Sequence, residues 1–103
     1  MEKFPWLKTV KQLLVSPLSI LELRYLVESK KMPINLLAVL DRLKKDEKFV
    51  MDDVSFEKLC LSALDISWTR DLFDRLLVAH SQLRGIPLAT NDRKIRENYS
   101  NVI

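Results

Sequence analysis

Glycine is almost missing from this sequence: one stands among 103 residues. Neither a phosphate-cradling loop nor a dinucleotide fingerprint can be written with one, since both need several glycines at fixed spacing. One cysteine and one histidine exclude an intrachain disulfide and a Cys/His zinc centre. A metal held by this chain must therefore be held by carboxylates. The longest unbroken apolar run, Leu36–Leu40, falls far short of the ~20 residues that a membrane-spanning helix needs. The opening MEKFPWLKTVKQLLVSP carries no apolar stretch long enough for a secretory signal. Cys60, on an apolar helical face, reads as a small buried hydrophobe of a reducing compartment. A cytoplasmic protein without membrane contact is expected.

What is present is ordinary for a globular domain. Hydrophobic residues make up 48% and charged residues 30%, which rules out a disordered or fibrous chain. No linker or low-complexity stretch divides the sequence, so residues 1–103 are expected to form one domain. Lys and Arg number 17 against 14 Asp and Glu, a net charge of +3. That balance permits contact with nucleic acid without demanding it.

Gln12–Val15 is a short apolar run closed by Ser16-Pro17 and reads as a strand. Ser19-Ile-Leu-Glu22 has capping-box spacing. Ile20, Leu23, Leu26 and Val27 then recur at helical intervals as far as Lys30-Lys31-Met32-Pro33. Leu36, Leu37, Leu40 and Leu43 mark a second helix from about Asn35 to Lys45. Phe49–Val54 is β-capable, and Ser55 suits the cap of a third helix bearing Leu59, Cys60, Ala63 and Leu64. A fourth runs from an Asp71 cap to Gly85, with Leu72, Phe73, Leu76, Leu77, Ala79 and Leu83 on its apolar face. Leu88-Ala-Thr90 reads as a buried strand, and Asn91-Asp92 turns into a last helix near Arg93–Tyr99. Helices alternating with short apolar strands argue for an α/β fold with a parallel sheet. Sites in such sheets form at the carboxyl ends of strands.

Three acids stand apart. Glu22, Asp74 and Asp92 each lie near the start of a helix that follows a strand or extended segment, so a parallel sheet can bring them to one edge. Carboxylates gathered without an arginine repel one another unless a hard cation neutralises them. Each acid also has a plainer reading. Glu22 completes a capping box with Ser19, Asp71 and Asp92 cap helices, and Asp74 answers a helix dipole. His80 reads as a packed or surface histidine, since no partner is suggested by spacing. Lys30, Lys31, Arg42, Lys44, Lys45 and Lys48 make either a track for phosphates or the wet faces of two helices. Arg70 and Arg75 suit phosphate contact or i,i+4 pairing with Asp71. Trp6 and Trp68 read as core or interface anchors.

The stretch Trp68-Thr-Arg-Asp71-Leu-Phe-Asp74-Arg75-Leu-Leu-Val-Ala79, followed by Gly85-Ile-Pro-Leu-Ala-Thr90-Asn-Asp92, resembles the carboxyl-terminal signature of PIN-domain proteins. It is nearest to the VapC-type toxin ribonucleases, whose pattern is R-D-P-F-D-R-L-L-I-A, then a glycine, an apolar strand and T-x-D. Upstream, Val15-Ser-Pro-Leu-Ser19-Ile-Leu-Glu22-Leu resembles that family's strand and helix carrying S-x-x-E-L. The resemblance covers about residues 12–103. It implies a PIN-like three-layer α/β fold, with a short parallel sheet flanked by helices.

The activity implied is that of a metal-dependent endoribonuclease hydrolysing RNA phosphodiester bonds. Glu22, Asp74 and Asp92 would hold Mg²⁺ or Mn²⁺, and Thr90 and Asp71 would orient a ligand or water, with Asp71 a further candidate ligand. Two departures matter. Leu72 stands where the family usually has proline, a minor loss of preorganisation. The aspartate that ends the family's first strand, in L-L-D-T or similar, has no counterpart, because Glu2 is the only acid before Glu22. The chain thus resembles a PIN domain lacking its first strand and first helix, amino-terminally truncated and impaired in catalysis. The alternative is a degenerate, non-catalytic domain that binds an antitoxin or associates with itself. Loss of a central strand leaves an open sheet edge, partly plugged by Phe4, Trp6 and Leu7. A homodimer or larger homo-oligomer is expected on that ground.

Overall fold

Residues 9–103 are described by a computed structural model. The expected mixed α/β architecture is found, with five helices and a two-stranded parallel sheet among the described residues. Two units are distinguished, one ending at Asp52 and the other spanning Asp53–Ile103. The expectations placed on Glu2, Phe4, Trp6 and Leu7 lie outside the described residues.

In the first unit, strand β1 (Leu13–Val15) is followed by helices α1 (Leu18–Ser29) and α2 (Leu36–Lys45), then strand β2 (Phe49–Met51). The strands pair in parallel, with Leu13 opposite Phe49 and Val15 opposite Met51. A parallel pair cannot be joined by a tight turn, so both helices lie in the connection. β2 is shorter than the β-capable run Phe49–Val54, because Asp52 leaves the strand and is buried. Its N–H still bonds to the Val15 carbonyl at 2.9 Å.

The Ser19–Glu22 capping box is not formed. Pro17, already helical at φ −56° and ψ −25°, opens α1, as its fixed φ favours. The Ser16 hydroxyl accepts the Leu18 N–H at 3.3 Å. The Ser19 N–H bonds the Ser16 carbonyl at 2.9 Å, so Ser19 lies inside the helix. Only Val27 of the α1 stripe is buried, and Leu26 is exposed. α2 begins one residue later than expected, with the Asn35 side chain accepting the Ala38 N–H. Leu36 is buried, but Leu37 is 73% exposed.

The second unit holds α3 (Phe56–Ala63), α4 (Leu72–Arg84) and α5 (Arg93–Asn98). α3 packs against α4. Ala63, Ile66, Val78, Ala79 and Ile95 form its core, with Trp68, Leu76, Leu88, Tyr99 and Val102 packed around them. Ser55 caps α3 and Asp71 caps α4, as expected. Gly85 ends α4 at φ 64° and ψ 31°, a left-handed step that only glycine takes without penalty. The strand expected over Leu88–Thr90 shrinks to one bridge, Leu88 with Val102.

Burial corrects the sequence reading at four side chains here. Cys60 is exposed, not a buried hydrophobe. Leu64, Leu72 and Leu83 are exposed as well. Apolar residues spread over more than half the circumference of α3, leaving only the side of Lys58 and Ser62 wholly polar, so periodicity alone does not say which part of that arc is buried. Leu59 and Ala63 take the core side, which turns Phe56, Cys60 and Leu64 outward at four-residue spacing. On α4 the most buried positions are Ala79, at 0% exposure, and Val78, at 1%. His80 is buried beside them, which selects the packed alternative. Ser81 is buried too, and its hydroxyl donates to the Ile86 carbonyl at 2.6 Å. The Tyr99 hydroxyl lies 2.8 Å from Ser81 Oγ, whose one proton goes to Ile86, and is therefore the donor of that second bond.

Candidate active site

α4 and α5 begin in the same way. Ahead of α4, the Thr69 hydroxyl accepts the Asp71 N–H at 3.2 Å, and Asp71 Oδ1 accepts the Asp74 N–H at 3.1 Å. Arg75 Nε reaches back to the Thr69 carbonyl at 2.7 Å. Ahead of α5, the Thr90 hydroxyl accepts the Asp92 N–H at 3.0 Å, and Asp92 Oδ1 accepts the Ile95 N–H at 2.9 Å. Arg96 Nη1 reaches back to the Thr90 carbonyl at 2.7 Å. Both starts read Thr-x-Asp-x-x-x-Arg, at residues 69–75 and 90–96. Sequence reasoning singled out Thr90, Asp92 and Asp71 but missed this duplication and the part of Arg96. Aligning the two helix starts on their capping aspartates is the signal that finds it.

The capping reading of Asp71 and Asp92 is thus realised: each satisfies an amide that the first turn leaves without an intrahelical partner. That bond does not exhaust an ionised carboxylate, which offers about four acceptor positions on its two oxygens. Both side chains are exposed. Thr90 is half-buried, and accepting the Asp92 amide leaves its hydroxyl proton as a donor. Arg75 uses its Nε on the Thr69 carbonyl, a role the i,i+4 reading did not include.

Asp74 is the third residue of α4, half-buried and in the first turn, where the helix dipole favours a negative charge. Glu22 is half-buried on α1, in the first unit. The carboxylate and hydroxyl oxygens of these residues are the hard donors that suit Mg²⁺ or Mn²⁺. Among the described residues, no group of three His, Cys, Asp or Glu side chains is gathered to hold a metal ion. Lys30, Lys31, Arg42, Lys44 and Lys45 are exposed, and Lys45 pairs with Asp41 at 3.0 Å, the arrangement of a solvated helix face.

A scan against protein-family models matches the PIN domain over residues 3–100. The chain belongs to the PIN domain family. No curated protein and no solved structure matches it. A PIN domain points to nuclease activity and RNA binding, and generally uses divalent metal ions, in accord with the oxygen donors above. Among the described residues, no helix is long and apolar enough to cross a membrane.

Proposed function

We propose that this PIN domain is a metal-dependent endoribonuclease of the VapC toxin type. The observation that carries the proposal is the Thr90–Asp92 turn, where a capping aspartate and a hydroxyl donor are held side by side. Asp74 and Asp92 are the carboxylates assigned to the ion, and Asp71 is the reserve. Their negative charge provides its electrostatic well. When bound, Mg²⁺ or Mn²⁺ supplies an activated water and neutralises charge on the phosphate. Thr90 orients a ligand or water through its hydroxyl proton.

RNA cleavage measured against Mn²⁺ concentration tests this reading. Wild type is expected to cleave only with metal. Outer-shell substitutions alone cost about 10- to 100-fold in metal affinity, so Asp74→Asn is expected to weaken the metal response at least that much. Cleavage that persists undiminished when Asp74 and Asp92 are both replaced by Asn would mean a contaminant or another site.

The exposed stripe of α3 favours a second reading, a PIN domain that binds protein and does not cleave. Phe56 is 62% exposed and Leu64 71%, with Leu61 beside them. Contiguous apolar surface of this kind marks an interaction face. Light scattering after size exclusion is expected to show a species larger than the 12.1 kDa monomer, which Leu64→Lys reduces. A clean monomer at micromolar concentration removes the self-association form of this reading.

A further inference from the structure

The sheet of the first unit uses only one side of β1. The Leu13 N–H donates to the Lys48 carbonyl at 2.7 Å, and the Val15 carbonyl accepts the Asp52 N–H at 2.9 Å. Successive residues of a strand turn their backbone groups to opposite edges, so Leu14 turns its N–H and carbonyl away from β2. Among the described residues, neither group of Leu14 has a partner on that outer edge. Leu13–Val15 contains no proline and no charge, the usual guards of an open edge. The outer edge of β2 is better guarded. Its Phe49 N–H is already taken by the Asp46 carbonyl at 3.1 Å, and Lys48 and Asp53 stand near its ends. The side chains give a second observation. Leu14 is the register partner of Val50, and both are exposed, although a parallel sheet ordinarily has both faces covered.

We propose that β1 pairs antiparallel with β1 of a second copy, the two Leu14 residues exchanging N–H to carbonyl bonds across a two-fold axis. The occupant is an extended strand, because an amide and a carbonyl in strand geometry are what the edge offers. A second copy fits it by symmetry. Two-fold rotation sets each Leu14 donor against the acceptor of the same residue and closes the assembly at two chains. The same rotation keeps both Leu14 side chains on one face, each with its Val50 alongside. The two exposed pairs thereby join into one apolar row across the sheet. Charge selects the direction. Antiparallel pairing sets Lys11 opposite Pro17, whereas parallel pairing in register sets Lys11 against Lys11, and like charges directly opposite are destabilising. Pairing also doubles a two-stranded sheet, which has little stability by itself. With three residues in each strand, the dimer is weak and depends on concentration. This edge is distinct from the exposed stripe of α3.

Sedimentation equilibrium and amide hydrogen exchange on the full chain test the proposal. Wild type is expected to pass from 12.1 kDa toward twice that mass as concentration rises, while exchange of the Leu14 amide slows in step. Leu14→Pro removes a donor that the copy itself does not use, and proline is tolerated at edge positions of that kind. It is expected to raise the dimer dissociation constant about tenfold or more, since both bonds of the central pair go at once. Circular dichroism is expected to stay unchanged. If Leu14→Pro does not fold, Leu14→Lys carries the same expectation, through two like charges set side by side. In a Cys60→Ser background, Leu14→Cys is expected to cross-link on mild oxidation. Opposite residues of a hydrogen-bonded antiparallel pair stand about 5.5 Å apart at Cα, within disulfide reach. Leu64→Lys is expected to leave this dimer in place and to remove only larger species. A monomer at every concentration overturns the proposal. A protected Leu14 amide in that monomer means that the same chain fills its own edge, and fast exchange leaves the edge to a strand of another protein. A dimer that survives both Leu14→Pro and Leu14→Lys overturns it too, and one that Leu64→Lys dissolves is built on α3 instead.

Discussion

Ile95→Ala is expected to destabilise the second unit by about 2–5 kcal/mol, the range for truncating a fully buried aliphatic side chain. Ile95 is 2% exposed and, with Val78, is one of the largest side chains wholly enclosed. It is also the only buried residue of α5, so the helix has no second anchor. Its backbone amide meets Asp92 Oδ1 at 2.9 Å, which links packing to the candidate site through one residue. Urea denaturation is the measurement, with a lower midpoint and an unchanged slope expected. A loss no larger than that of an exposed position such as Leu72→Ala would show that α5 is not held by its core contact.

Asp92 separates two roles by charge. Asn caps a helix about as well as Asp, so Asp92→Asn is expected to leave stability within a few tenths of a kcal/mol. The same change removes a negative charge and an oxygen donor, so the Mn²⁺ response of RNA cleavage is expected to collapse. Asp92→Ala removes the cap as well and is expected to cost about 1 kcal/mol. Paired melting and cleavage measurements check this. Equal loss of cleavage and of stability in both variants would leave Asp92 a cap and nothing more. Asp71 serves as the comparison, since it caps α4 in the same geometry.

Helix starts were the most legible feature of this sequence. Ser55, Asp71 and Asp92 all cap as their spacing suggested, because capping is a contact over three residues and needs no knowledge of the rest of the chain. Gly85 was legible for the same reason. Ser19 misled because two local signals competed, and the fixed φ of Pro17 started α1 ahead of it. Faces were harder to read than starts. On α3 and α4 the apolar residues cover more than one face, and the choice between Leu64 outside and Ala63 inside depends on what packs there. Cys60 was misplaced on that account. The choice of Glu22, Asp74 and Asp92 rested on residue types at suggestive positions, because spacing along the chain carries no long-range geometry. Arg96 escaped notice because its partners are the backbone carbonyls of Thr90 and Ile103, and any residue type presents one.

The pairing of Leu13 with Phe49 has a consequence for the order of folding. α3 and α4 meet across a short connection, so their docking needs little loop closure and can proceed early. The β1–β2 ladder forms only when the chain has returned across both α1 and α2, and the entropy of that closure must be overcome before three residue pairs reward it. During synthesis the first unit leaves the ribosome first, yet it carries the slower contact. The later-made helical pair can reach its native arrangement while the sheet is still searching for its register.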